Sequence, residues 1–314
     1  MILLTPETLD DVSNLLDEYG QFIQEQLGIP SFPVKERFKT FLKERNDRIF
    51  AFYDNNHVPI GIARTSTEKG NPDEVYIMEF YCSEKGKDKG SLEINLFDAV
   101  FNQLKDNHTI IRVAGMPLSS DLRNHITSRN FTRFDRWKMS IDKSTVQSLS
   151  KLNLPLNYAF ARWNDEYTEP IIEVITNYND QNVDNILFPY FKTVDTVKAF
   201  IEDLTKNRWG KFKTNLTSIL THNGELIGVC FLTVLDNGKG YLPDIGILKT
   251  YQGKGLGKTL LIHSLKYYME VQDSNEIELD VTLKNTVALN LYKSLGFRFK
   301  REYTVFVWNE NDPT

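Results

Sequence analysis

Two cysteines, Cys82 and Cys230, are all that 314 residues provide, too few for a disulfide framework and suited to a reducing, cytoplasmic setting. Positive charge is not in excess: 37 Lys and Arg against 42 Asp and Glu leave a net charge of −5, which excludes a protein whose main task is coating nucleic acid. No stretch approaches the roughly 18 uncharged apolar residues of a membrane span. The opening residues from Met1 to Pro6 also lack the basic segment of a signal peptide. Five histidines (His57, His108, His125, His222 and His263) show no paired ligand spacing, so no metal site is expected. No Gly-x-Ser-x-Gly elbow occurs, and Trp137, Trp163, Trp209 and Trp308 are too scattered for a base-stacking platform. What is present is an ordinary globular balance, 41% apolar and 25% charged, over a length that suits about two domains of about 150 residues each.

Hydrophobic periodicity divides the chain into alternating helices and strands. Leu9, Val12, Leu15, Leu16 and Tyr19 recur at helical spacing after Thr5-Pro6, and a second helix is expected from about Val34 to Glu44. Strands at 48–53 and 60–63 flank the turn Asp54-Asn55-Asn56, a hairpin. A strand at 75–81, a helix at 92–104, a strand at 109–114 and a helix at 122–128 complete the first half. The second half repeats the order, with helices at 162–179 and 194–206, a hairpin of strands at 218–220 and 226–235 around His222-Asn223-Gly224, and a strand at 241–248. It closes with a helix at 257–270, a strand at 277–281, a helix at 286–294 and a strand at 303–308.

The correspondence keeps a nearly constant offset. Gly61 to Gly228, Gly90 to Gly257 and Ile110 to Ile277 are each shifted by 167, and Phe131 to Phe297 by 166. Any two α/β domains share hairpins, but four elements at one offset point to a duplicated domain. The expected division is residues 1–145 and 157–314, joined near Asp142 to Asn157, a Ser/Lys-rich stretch with Pro155.

The sharpest local feature is the segment from Tyr251 to Lys258, between an apolar strand and an amphipathic helix. Glycines at 253, 255 and 257 let the backbone turn tightly and present successive N–H groups without a Cβ in the way. The helix that starts near Gly257 adds its unpaired N-terminal donors and the positive end of its dipole. Together they form an anion cradle suited to phosphate. Lys249, Lys254 and Lys258 supply local positive charge, although a solvated surface would carry them equally well.

Spacing separates the phosphate motifs. A nucleotide P-loop ending at Gly257-Lys258-Thr259 would need glycine where Gln252 stands, and the dinucleotide pattern Gly-x-Gly-x-x-Gly fails at Lys258 and Leu260. Gln252, Gly255 and Gly257 do fill the pattern Gln/Arg-x-x-Gly-x-Gly/Ala. Downstream, Asn285, Ala288, Leu291, Tyr292, Gly296 and Phe297 fill Asn-x-x-Ala-x-x-Leu-Tyr-x-x-x-Gly-Phe. With both motifs in order, the region from Tyr241 to Trp308 resembles the GNAT N-acetyltransferases, and the duplicated layout resembles tandem GNAT proteins.

That resemblance implies a fold class of α/β type (an α+β mixed sheet) with two tandem GNAT-like domains, each a mostly antiparallel twisted sheet flanked by helices. It implies acetyl-CoA as co-substrate and a small-molecule or peptide amine as acceptor, with no metal, nucleic acid or membrane partner; a homodimer is compatible with it. The cofactor pyrophosphate would lie on Gly253, Lys254, Gly255, Leu256, Gly257 and Lys258, next to Gln252. The pantetheine arm would pair with Ile245, Gly246, Ile247 and Leu248. Tyr292 matches the family's general acid and Asn285 a residue that contacts the cofactor. Tyr292 also suits a core position at helical spacing with Leu289 and Leu295, and Asn285 suits a helix N-cap in either case. Many relatives carry a Glu on the strand before the loop. Here Tyr241, Leu242 and Pro243 stand nearby and Asp244 is the one carboxylate, hence the candidate base; a water relay would need none.

Shifted back by the repeat, the loop becomes Lys85 to Gly90, with Asp88 in place of Gly255, Leu118 in place of Asn285 and Ile126 in place of Tyr292. The first copy is therefore expected not to catalyse acetyl transfer. A non-catalytic acyl-CoA-binding protein is the alternative reading, with an NTPase a distant third. Acceptor recognition is expected around Asp165, Glu166, Tyr167, Phe188, Tyr190 and Phe191, without a readable code.

Overall fold

The computed structural model describes residues 1–27, 34–44, 47–68, 71–83, 89–114, 116–150, 153–178, 187, 191 and 193–311. Asp88, Phe188 and Tyr190 lie outside them. In chain order the elements are β1 (Ile2–Leu3), α1 (Ser13–Leu27), α2 (Val34–Glu44), β2 (Arg48–Tyr53), β3 (Pro59–Glu68), β4 (Asn71–Cys82), α3 (Lys89–Lys105), β5 (Ile110–Val113) and α4 (Ser120–Ser128). Next come β6 (Thr132–Asp142), α5 (Lys143–Ser148), β7 (Tyr158–Arg162), α6 (Thr168–Tyr178), α7 (Val194–Thr205), β8 (Lys211–Phe212), β9 (Ser218–His222), β10 (Glu225–Cys230) and β11 (Thr233–Val234). Then follow β12 (Gly240–Leu242), β13 (Ile245–Ile247), α8 (Leu256–Val271), β14 (Glu276–Thr282), α9 (Thr286–Ser294) and β15 (Arg298–Asn309).

These elements form two compact units, one of residues 1–134 with 303–314, the other of residues 135–302. In the first, β1 to β4 pair antiparallel in sequence order, β4 runs parallel to β5, and β5 pairs antiparallel with the end of β15, Phe306 opposite Val113. In the second, β7, β9, β10 and β13 make an antiparallel sheet. There β8, β11 and β12 also pair antiparallel, β12 runs parallel to β14, and β14 pairs antiparallel with β6, Leu279 opposite Met139. The 167-residue repeat makes β6 and β15 corresponding strands. Each unit is thus completed by the last strand of the other half, so sequence halves and compact units divide the chain differently.

The helices form where their faces can be buried and their ends satisfied. The Thr193 hydroxyl accepts from the Thr196 amide at 3.2 Å in a capping box that starts α7. Asp142 accepts from the Thr145 amide at 2.7 Å and starts α5, within the stretch read from sequence as a joint. Hydrogen bonds from Ser144 and from the Thr145 amide and hydroxyl hold the Asp142 carboxyl down at about 2. In the second unit α8 and α9 cover one face, with Leu260, Leu261, Leu265, Tyr268, Leu289 and Tyr292 packed on Ile277, Leu279 and Val281. The other face is covered by α6 and α7, which place Ile171, Ile175, Val197, Phe200 and Leu204 against Ile219, Val229 and Phe231.

Three expected elements differ. The strand expected over 226–235 is two, β10 and β11, with different pairing partners. The helix expected over 162–179 begins at Thr168, because residues up to Arg162 belong to β7 and pair with β9. The strand expected over 241–248 is two strands, broken at Pro243-Asp244, and that break makes the site.

Candidate active site

Up to Leu242, which pairs with Leu279, the strand runs parallel to β14. Proline has no N–H to continue a ladder. Beyond Pro243 the chain turns away and β13 becomes an edge strand, paired on one side with β10. Phe231 N donates to Asp244 O at 3.0 Å and Leu248 N to Ile227 O at 2.8 Å, so the backbone groups of alternate residues point toward β10. Alternation turns the N–H and C=O of Ile245 and Ile247 to the opposite side, where no strand pairs with them among the described residues. Between β13 and the end of β14 the sheet is forked, with a backbone edge on one arm that no strand covers among the described residues.

The glycine turn stands at the end of that edge. The Gln252 side-chain amide donates to Ile247 O at 2.9 Å, so this residue ties the loop to the strand. Gly253 and Gly255 hold φ of +74° and +76°, a left-handed geometry that costs a residue with a Cβ about 1–2 kcal/mol. This pair of turns, followed by α8, aims consecutive amides outward. Gly255 occupies the N-cap without a side-chain cap, and the first helical bond is from Thr259 N to Gly255 O at 3.1 Å. The amides of residues 253–258 consequently have no backbone acceptor among the described residues. Donors left open in this way, at the positive end of a 16-residue helix, fit a pyrophosphate. Lys249, Lys254 and Lys258 are all exposed here, Lys254 with its ammonium 5.1 Å from the Tyr251 ring centroid.

Downstream, Asn285 caps α9, its side chain accepting from Ala288 N at 3.2 Å. Tyr292 lies on the inward face of α9, 7% exposed, with its ring centroid 5.5 Å from that of Phe297. Asp244 accepts a hydrogen bond from the Tyr178 hydroxyl of α6, and the Tyr178 ring lies over Gly246, where a Cβ would overlap it. Cys230, on the strand beside this arm, is fully buried and its thiol is pushed up to about 12 by that burial, so it is inert core. Asp165, Glu166 and Tyr167 form a short 3-10 turn and Phe191 is buried in the α6–α7 core, its ring against Phe200. Spacing along the sequence did not reveal Tyr178, which the fold brings from another element, or the side-chain ladder on β14 described below.

Residues 181–297 match the family model of the Acetyltransferase (GNAT) family. This segment is similar to the GNAT acetyltransferases. Among curated proteins, the chain is 42% identical over 60 residues to an N-alpha-acetyltransferase of Sulfurisphaera tokodaii, 19% of this chain and 36% of that one. It is 32% identical over 90 residues to a probable spermine N(1)-acetyltransferase of Bacillus subtilis subsp. natto, 26% of this chain and 59% of that one. The chain therefore spans between a third and three-fifths of the length of these relatives. Solved structures match over the whole chain. A GCN5-related N-acetyltransferase from Sphaerobacter thermophilus has a TM-score of 0.68 at 14% identity, covering 100% of this chain and 96% of its own. A tandem GNAT protein from the clavulanic acid biosynthesis pathway has 0.63 at 12%, covering 100% and 99%. At such identities these two likenesses speak for the fold alone: a mixed α/β chain of GNAT type throughout. Among the described residues no cluster of three metal-ligating side chains occurs, and no helix is long and apolar enough to cross a membrane.

Proposed function

We propose that the second unit binds acetyl-CoA and transfers its acetyl group by direct attack to a primary amine of a small molecule or peptide. One observation carries this reading: the open amides of residues 253–258 continue into the free edge of β13 at a fork in the sheet. The loop amides suit the pyrophosphate, the groups of Ile245 and Ile247 suit the amides of a pantetheine arm, and Asn285 and Tyr292 stand on the helix of the second motif. Bound there, acetyl-CoA supplies an activated acyl group. Asp244 takes a proton from the amine nitrogen, so that its lone pair can form the N–C bond while the C–S bond breaks. Tyr292 gives its phenolic proton to the leaving sulfur and recovers one from the nitrogen, which sheds its second proton as the amide forms. The relatives' names, for spermine and for α-amino acetylation, support an amine acceptor, and two unpaired thiols support a cytoplasmic setting. The first unit is a copy without this activity.

Thiol release from acetyl-CoA against a panel of amines tests the reading. The wild type is expected to turn over, and Tyr292→Phe to lower kcat at least tenfold while leaving acetyl-CoA affinity unchanged. Tight acetyl-CoA binding without turnover of any amine would instead support the non-catalytic binding protein.

A further inference from the structure

β14 turns Ile277, Leu279 and Val281 into the core and presents Glu276, Glu278 and Asp280 on the opposite face. Basic side chains answer the first two. Lys239 lies 2.7 Å from Glu276 and 2.6 Å from Glu278, and Lys300 lies 2.6 Å from Glu276. Asp280 is served unevenly. The Tyr241 hydroxyl at 3.0 Å and the Lys138 ammonium at 3.3 Å both donate to its Oδ2. Its Oδ1 is withdrawn from solvent and has no hydrogen-bond partner among the described residues. Leaving a buried acceptor unmatched costs about 1–3 kcal/mol, more when it is charged; Asp47 Oδ1 in the first unit is unmatched in the same way, and what sets Asp280 apart is its place in the sheet.

The position of that oxygen gives it a role. Asp280 is the first residue beyond the Leu242–Leu279 pair, the last contact before β13 turns away, so it stands where the fork opens. On the other arm Asp244 and Gly246 face Tyr178 of α6, on the side of the sheet away from α8. Tyr241 and Asp280, alternating with core-facing Leu242 and Leu279, also face away from α8. Each arm of the fork therefore carries an aspartate that accepts from a tyrosine on the face opposite α8, and one of the two keeps a buried carboxylate oxygen without a partner among the described residues.

We propose that Asp280 is the acceptor-binding residue of the site, its carboxylate turning so that the unpartnered Oδ1 meets the incoming amine. It takes an N–H of the incoming amine in its protonated form, which selects unhindered primary alkylammonium groups over neutral arylamines. Tyr241 and Lys138 orient the carboxylate through Oδ2, leaving Asp244 to take the proton. The inference rests on the acetyl-transfer reading above.

The test is steady-state thiol release by the full chain with acetyl-CoA and three probes: n-butylamine, 1,4-diaminobutane and glycinamide. Asp280→Asn is expected to raise the KM of every amine that the wild type uses at least tenfold, with the KM of acetyl-CoA within twofold. Tyr241→Phe, which leaves Oδ1 in place, should raise it threefold or less. An unchanged amine KM in Asp280→Asn overturns the assignment while acetyl transfer stands. A wild type that binds acetyl-CoA and turns over none of the three probes removes both. Should Asp280→Asn lose acetyl-CoA binding, Asp280→Ala with added formate decides: recovery of the amine KM supports the assignment, and no recovery overturns it.

Discussion

Where the second unit has Gly246 beneath the ring of Tyr178, the first unit, 167 residues earlier, has Glu79 in ion pairs with Arg64 and Arg37. Where the second has Asp244 and Asp280 at the fork, the first has Ile77 and Val113, both buried and paired in register across β4 and β5. Tyr241 corresponds to Glu74, which is buried against Arg112, and Tyr292 to Ile126, which is fully buried. In the first unit the carboxylates at the corresponding strand positions, Glu74 and Glu79, are each paired with an arginine of the same unit, and the unmatched oxygen there belongs to Asp47 on another segment. In the second, a carboxylate oxygen, a strand edge and a run of amides are left unmatched. One backbone plan can thus be closed by internal ion pairs or held open for a ligand, and the difference lies in a few side chains rather than in element order.

Making the second unit resemble the first should have the largest effect. Gly255→Asp installs the residue that the repeat places at 88. Its φ of +76° strains any side chain there, and a carboxylate about 4 Å from a pyrophosphate oxygen costs up to about 4 kcal/mol at an effective dielectric of about 20. Acetyl-CoA affinity by calorimetry is expected to fall at least 100-fold; a fall below tenfold would show that this turn does not hold the anion. The reverse comparison tests the closed unit. Glu79→Gln breaks a buried ion pair, a loss of about 3–5 kcal/mol. Thermal unfolding should drop by about 10 °C, while acetyl-CoA affinity stays within twofold; a change in affinity would mean that the closed unit contributes to the site.

The smallest effect concerns the ladder on β14. Burial would raise the Glu276 carboxyl, but hydrogen bonds from Lys239, Lys300 and Ser140 outweigh it and bring it down to about 2 from 4.5. The unfolded chain therefore takes up this proton first as the pH falls. The stability that Glu276 lends is complete above about pH 5 and is lost between there and pH 2. The Tm of Glu276→Gln should fall less steeply than that of the wild type across that window, by a modest margin because the group is partly exposed. Parallel slopes would mean that the ladder contributes nothing.

Much of this was legible in the sequence, for identifiable reasons. The glycine turn and the α9 motif are local, so spacing alone located the loop, the Asn285 cap and the Tyr292 helix. β6 and β7 were not legible. In β6 the residues facing away from the apolar core include Arg136 and Ser140, which are buried as well, so polar residues inside the fold obscure the alternation. In β7, Tyr-Ala-Phe-Ala-Arg has neither a polar face nor a fully buried one. The break at Pro243 was visible as a residue but not as a fork, because the fork depends on where β14 stops pairing. Tyr178, Tyr241 and Asp280 acquire their meaning only through contacts between elements distant in sequence.

One backbone plan, written twice, is expected to keep a single anion cradle that binds acetyl-CoA. Calorimetric titration of acetyl-CoA into the full chain tests it most directly. One site per chain is expected, abolished by Gly255→Asp. Two sites per chain, or a single site that survives that substitution, would contradict it.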